Sequence, residues 1–149
     1  MVSLPDTKNN RPHAFPIAPL AAGLIEHTPK FESDYIFPAR GTQSRSFNGW
    51  SKSKFKLDKA IAKAGHDMAP WTLHDLRRTF ATNLAALGVA PHITERLLNH
   101  VSGTISGVAA IYNRHAYLDE MRDAITKWER RLVELIERAP HTTTVPRAA

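Results

Sequence analysis

Apolar residues recur every three or four positions through three stretches of the chain, which predicts amphipathic helices. The first stretch covers residues 47–64 and ends at Gly65. The second follows Thr72, contains HDLRRTFATNLAALG at 74–88, and ends at Gly88. The third carries a narrow apolar stripe, which must pack against its own core or a neighbouring chain. This stripe consists of Leu118, Met121, Ile125, Trp128, Leu132 and Leu135.

The N-terminal pattern differs and predicts a β-hairpin. SLPDT and PHAFPIA flank KNNR at residues 8–11, and its two asparagines suit the left-handed backbone of a tight turn. A short helix is predicted around PLAAGLIEH at 19–27, followed by an extended DYIFP. The predicted fold class is therefore mainly α with a small N-terminal β-hairpin.

A further helix is predicted for PHITERLLNH, residues 91–100, because proline suits a first helical turn. Ile93, Leu97 and His100 are spaced at i, i+4 and i+7, which predicts that His100 shares the inward face. The small residues of VSGTISG and the apolar VAAIY then lead to Tyr112. Residues 139–149 have no periodicity and are predicted to be disordered.

Composition narrows the class of protein. The chain has 149 residues, 42% of them hydrophobic and 23% charged, which fits a single globular domain. It contains no cysteine, so disulfides and thiolate metal sites are excluded, and we expect no metal or other cofactor. No signal-peptide pattern follows Met1, and no apolar window is long enough to span a bilayer. We expect a cytoplasmic protein.

Charge is concentrated in one block. Residues 40–63 hold seven basic residues against Asp58 alone, and they account for the whole net charge of +6. Such a block predicts a polyanionic partner, although a solvated helix face is the alternative. DNA is favoured over a membrane because no Trp or Leu face accompanies the lysines. The predicted phosphate contacts are Arg40, Arg45, Lys52, Lys54, Lys56, Lys59 and Arg78.

The stretch HDLRR places a histidine and an arginine one helical turn apart. His74 and Arg77 therefore lie on one flank of the predicted buried face, an arrangement that suits a phosphate oxygen. The alternative is a surface helix with ordinary charges. A tyrosine phenol that attacks a phosphodiester needs cationic and imidazole groups around it, and a lysine could protonate the leaving oxygen.

These features together resemble the catalytic domain of tyrosine recombinases, especially phage and genomic-island integrases. The resemblance covers roughly residues 1–138 and rests on the hairpin lysine, H-x-x-R, LLNH and AIYNR in that order. It implies that Tyr112 is the nucleophile, that His74, Arg77 and His100 serve the phosphate, and that Lys8 is the catalytic lysine. Tyr117 is the rival nucleophile.

The resemblance also implies a function. The expected fold is the helical DNA breaking–rejoining fold, and the expected reaction is site-specific recombination through a 3′-phosphotyrosyl link. The implied partners are double-stranded DNA and further copies of the chain, a tetramer on DNA assembled through the Leu118–Leu135 helix. The family has another catalytic arginine upstream of the hairpin. We therefore interpret residues 1–138 as part of a catalytic domain, expected to bind DNA weakly and not to recombine it alone.

Two other functions stay open on the sequence. RTFATNLAALGVAPHITERLL has the outline of a helix–turn–helix, which would make the chain a non-catalytic DNA-binding module. The second open function is that of a helical domain that binds another protein through the Leu118–Leu135 stripe. Individual residues have structural alternatives too: His100 as a core histidine, Tyr112 as a packing aromatic, and Lys8 as a solubilising turn residue.

Overall fold

The computed structural model describes residues 1–7, 10–42, 44–100 and 116–138. Within them the chain is mainly helical, with one two-stranded antiparallel sheet, which confirms the predicted fold class. The elements are β1 (Val2–Leu4), β2 (His13–Phe15), α1 (Pro19–Glu26), α2 (Trp50–Lys63), α3 (Leu73–Ala86), α4 (Pro91–Leu97) and α5 (Leu118–Arg138). The predictions for VAAIY and for the tail at 139–149 lie outside the described residues.

The N-terminal hairpin forms as predicted. Val2 pairs with Phe15 and Leu4 with His13. Asn10 adopts a left-handed backbone with φ of 52°, and its N–H donates to the carbonyl of Thr7 at 2.8 Å. Asparagine tolerates this conformation better than most residues, which explains its place in the turn.

The chain divides into two compact units, and the boundary falls within α3. The first unit contains residues 1–18 and 81–149. In it, α5 packs against α4 and against β2. Its core holds Leu84, Ile93 and Met121, which are 0%, 4% and 3% exposed, together with Ala18, Thr94 and Ala124. The apolar stripe predicted for the last helix therefore faces this core near the N-terminal end of α5, at Met121.

The second unit contains residues 19–80 and has a different character. None of its described residues is buried. Phe31, Phe37, Trp50 and Phe55 are each more than half exposed. Because apolar burial is the main stabilising term in folding, this unit depends more on local contacts than the first does.

One predicted boundary in the second unit is corrected. The helix expected from residue 47 begins at Trp50. The backbone N–H of Phe47 donates to the carbonyl of Phe37 at 2.8 Å, and this bond keeps Phe47 out of the helix. Its ring packs edge-on against Trp50, with centroids 5.0 Å apart. The segment DYIFP, predicted to be extended, pairs within the described part of the chain only at its last residue, through the isolated bridge of Pro38 with Ser46.

Among the residues that the structure describes, no helix is both long enough and apolar enough to cross a bilayer.

We predict that Leu84→Ala lowers the free energy of unfolding by about 2–5 kcal/mol, because it removes a fully buried side chain and leaves a cavity. Urea unfolding followed by circular dichroism measures this loss. Leu24→Ala is the matched control, since Leu24 is 68% exposed and its truncation should cost less than about 0.5 kcal/mol. Equal losses in the two variants would contradict the placement of the core.

Candidate functional site

The start of α3 is shaped by Asp75. Its carboxylate accepts the backbone N–H and the hydroxyl of Thr72, both at 2.8 Å. Asp75 thus forms the carboxylate half of a capping box at Thr72. The threonine hydroxyl, however, donates to Asp75 instead of accepting a backbone N–H. The hydrogen bond from the Thr72 backbone, followed by that from its hydroxyl, lowers the pKa of Asp75 below its ordinary value of 3.8, and Arg78 adds to the effect.

His74 and Arg77 follow this cap on the first turns of α3. His74 is exposed and Arg77 is half-buried. The prediction that they flank a buried face is wrong for these turns, because Leu73 and Leu76 are 41% and 57% exposed. The stripe becomes fully buried only at Leu84. The histidine and the arginine therefore project from a part of α3 that is open to solvent.

Arg78, the neighbouring arginine, is engaged on the helix surface. Its guanidinium donates to the second carboxylate oxygen of Asp75 at 3.1 Å. Its side chain nevertheless stays 75% exposed, so the pair is weak in water. Asp75 thus stabilises the helix start and also neutralises part of the charge on Arg78.

The basic block lies in the second unit with His74 and Arg77. Lys52, Lys56 and Lys59 are exposed on α2, and Arg40 and Arg45 are exposed in the loop before it. A backbone hydrogen bond brings the two arginines near each other in space, because the N–H of Ala39, next to Arg40, donates to the carbonyl of Arg45 at 2.8 Å. Lys59 also packs its ammonium 4.5 Å from the ring centre of Phe55.

Lys54 differs from the other lysines of α2. Its side chain is only 16% exposed, and its ammonium lies 2.6 Å from the carboxylate of Asp58. The same ammonium lies 4.3 Å from the ring centre of Trp71. Trp71 directly precedes Thr72, the residue at the start of α3 that Asp75 contacts. Lys54 therefore links α2 to the start of α3, a role that the sequence pattern did not indicate.

His100 lies just beyond α4, in the first unit. The prediction that it shares the inward face of the helix is wrong, because α4 ends at Leu97 and Asn99 turns left-handed with φ of 51°. The imidazole is 40% exposed, and its Nδ1 lies 2.8 Å from a carboxylate oxygen of Glu95. Sequence reasoning missed Glu95, because its closeness to His100 depends on where the helix ends.

Tyr117, the rival nucleophile, is held in place by two side chains of α4. Its ring lies 5.0 Å from the ring of His92 and 4.8 Å from the guanidinium carbon of Arg96. The residue has a left-handed φ of 56°, and α5 begins directly after it. These contacts give Tyr117 a structural role at the start of α5.

Not every predicted site residue can be placed. Tyr112 and Lys8 lie outside the described residues. His74 and Arg77 belong to one unit and His100 to the other. Across residues 1–7, 10–42, 44–100 and 116–138, no cluster of three or more His, Asp or Glu side chains could hold a metal ion.

Comparison with protein-family models identifies the class of protein. The model of the phage integrase family matches residues 1–118, which include all five predicted catalytic positions. The chain belongs to the phage integrase family, whose members are tyrosine recombinases that act in site-specific DNA recombination. Searches of curated proteins and of solved structures found no match.

The matched range ends at Leu118, the first residue of α5. The rest of α5 therefore lies beyond the part that the family model describes. It is nonetheless well formed, with Met121 and Ala124 buried.

We predict that Asp75→Asn weakens the fold at neutral pH and that the difference from wild type shrinks in acid. A carboxyl group whose pKa is lowered by folding stabilises the folded state at every pH above the pKa that the group has in the unfolded chain. This stabilisation is lost as the pH falls through the folded-state pKa of Asp75, which lies below the ordinary value of 3.8. Urea unfolding from pH 7 to pH 2.5 measures it. An equal pH-dependent difference in the control variant Asp67→Asn, in the exposed loop before α3, would contradict this role of Asp75.

Proposed function

We propose that Tyr112 cuts DNA by transesterification, a step that this chain performs slowly, whereas complete recombination is not expected of it alone. The phenol oxygen forms a bond to phosphorus, the bond to the 5′-oxygen breaks, and a 3′-phosphotyrosyl link remains. The phenol proton passes to a nearby base, and the 5′-oxygen takes up a proton to leave as a hydroxyl. A second 5′-hydroxyl then reverses the step. The observation that carries this proposal is the family match across Lys8, His74, Arg77, His100 and Tyr112.

The phosphate-binding roles of His74 and Arg77 are part of this proposal. Charge builds up on the non-bridging oxygens during attack, and a guanidinium fork with an imidazole donor stabilises it without a metal. The open position of the first turns of α3 supports these roles, since a bulky duplex needs access to both side chains. Lys8 is proposed as the proton donor to the leaving 5′-oxygen.

We predict that Tyr112→Phe abolishes covalent protein–DNA adducts on a nicked suicide substrate, because the variant has no nucleophilic oxygen. Single-turnover assays at low salt with excess protein offset weak binding. Tyr117→Phe is the matched control and should keep adduct formation. Arg77→Ala should slow it by about 100- to 1,000-fold, as the loss of one charge-stabilising donor does.

Three outcomes would count against this assignment. An adduct that survives Tyr112→Phe and disappears in Tyr117→Phe would move the nucleophile by five residues. Binding without any adduct in the wild-type chain would favour a non-catalytic DNA-binding module. The absence of salt-dependent DNA binding would favour a protein-interaction domain.

The basic block is proposed to contact the DNA backbone. Lys52, Lys56 and Lys59 are exposed on one short helix, together with Arg40 and Arg45 in the loop before it. Lys54 contributes less, because its ammonium is already paired with Asp58 and packed on Trp71. Arg78 contributes by exchanging its exposed contact with Asp75 for a phosphate.

Assembly on DNA is proposed to involve α5. Met121 and Ala124 of its N-terminal half are buried in the first unit, whereas Val133, Leu135 and Ile136 are 38%, 43% and 61% exposed near its end. An exposed apolar edge on a long helix suits contact with another copy of the chain. In the tetramer typical of the family, this edge would join neighbouring subunits.

We predict that the double variant Lys52→Gln with Lys56→Gln weakens binding to all DNA sequences alike. The slope of log affinity against log salt should flatten by about 0.9 for each lost phosphate contact. Lys54→Gln should change the slope by much less, because its charge is already paired, and Lys127→Gln on α5 is the outside control. Fluorescence anisotropy over a salt series measures the slope. A changed sequence preference at constant slope would contradict backbone contact.

A further inference from the structure

Two hydrogen bonds join Glu95 to His100. The backbone N–H of His100 donates to the backbone carbonyl of Glu95 at 2.9 Å. Its imidazole Nδ1 lies 2.8 Å from the Glu95 carboxylate oxygen Oε2. One residue of α4 therefore holds both the main chain and the side chain of the histidine.

The geometry follows from the way α4 ends. Leu98 is the last residue with helical backbone angles, and Asn99 turns left-handed with φ of 51°. This turn brings the N–H of the next residue back over the final helical turn, the hydrogen bond typical of a left-handed helix end. His100 therefore lies beside Glu95 and not on the inward face of the helix.

The base of this arrangement is anchored in the core. Ile93 and Thr94, the two residues before Glu95, are 4% and 7% exposed. Glu95 and His100 remain 30% and 40% exposed at their side chains. The buried residues of α4 thus fix the position of the pair, while both side chains remain accessible to solvent.

The contact determines which ring nitrogen carries hydrogen. A carboxylate accepts hydrogen bonds and cannot donate them, so Nδ1 must be the N–H that donates to Glu95. In the neutral ring Nε2 is then the nitrogen that accepts hydrogen bonds. A free imidazole can place its proton on either nitrogen, and the partner of one nitrogen sets the role of the other.

We propose that Glu95 is a positioning residue for His100: it holds the ring by Nδ1 and directs Nε2 into the catalytic site. There Nε2 of the neutral ring accepts a hydrogen bond from the attacking phenol, and Nε2 of the protonated ring donates one to the phosphate. This inference rests on the proposed function, since it assigns a partner to one of its catalytic residues. Glu95 touches neither DNA nor Tyr112 in this role and acts only through the imidazole. Carboxylates that orient metal-bound histidines through the other nitrogen act in the same way, and their loss costs about 10- to 100-fold in activity.

The first test is the tautomer of His100, read from nitrogen chemical shifts in ¹⁵N-labelled protein at a pH where the ring is neutral. We expect the proton on Nδ1 in the wild-type chain. Glu95→Gln keeps an oxygen acceptor and should keep this tautomer, whereas Glu95→Ala should shift the proton toward Nε2. A wild-type ring protonated on Nε2 would overturn the inference without any variant.

The second test is single-turnover cleavage of the nicked suicide substrate. Glu95→Ala should slow adduct formation by about 10- to 100-fold while DNA affinity stays within twofold of wild type. Glu95→Gln should recover most of the rate. Glu26→Ala, an exposed glutamate of α1, is the matched control and should cleave like wild type.

The outcomes separate this inference from the proposed function. Normal cleavage by Glu95→Ala, in a wild-type chain that forms the Tyr112 adduct, overturns only the role of Glu95. Equal slowing of the Ala and Gln variants also overturns it, because it would point to charge and not to hydrogen-bonded orientation. The absence of any wild-type adduct overturns the proposed function and with it the catalytic role of Glu95, whatever the tautomer.

Discussion

The packing of α5 against α4 is the constraint on which the first unit depends. Ile93, Met121 and Leu84 are almost completely buried, and burying a side chain of this size contributes about 1.5–3 kcal/mol. An exposed ion pair contributes about 0–1 kcal/mol. Apolar packing, and not the pair between Glu95 and His100, therefore fixes α4. The pair only orients an imidazole whose main-chain position is already determined.

The second unit depends on a different kind of contact. None of its described residues is buried. Lys54 links α2 to the start of α3 through its contact with Trp71, and Asp58 pairs with the same ammonium within α2. Such contacts are individually weak, but they join the helix that carries the basic block to the turn that precedes His74. In the proposed function this unit provides the charge that binds the DNA backbone. His100 and its carboxylate partner come from the unit with the core.

Local patterns predicted the elements well. The hairpin, the glycine that ends α3, the proline that begins α4 and the extent of α5 all follow from turn chemistry and periodicity, and the structure confirms them. The order of H-x-x-R and LLNH also identified the family correctly.

The errors share a physical cause, which is that periodicity describes a helix only as far as the helix extends. His100 was assigned to the inward face by continuing α4 through Asn99, whose left-handed backbone ends the pattern. Leu73 and Leu76 were assigned to a buried face because their spacing is helical, but burial depends on what packs against that face. Glu95 acquired its partner from the turn that ends α4, and Lys54 its contact with Trp71 from a loop, and spacing alone describes neither.

The proposed function has DNA broken through one particular tyrosine, and mass spectrometry of the covalent complex identifies that residue. Trypsin separates the two candidates, since Tyr112 lies in the peptide of residues 97–114 and Tyr117 in that of residues 115–122. After nuclease digestion of the trapped complex, the account predicts a residual nucleotide mass on the first peptide, located at Tyr112. A nucleotide on the second peptide, or unmodified peptides from a complex that binds DNA, would contradict it.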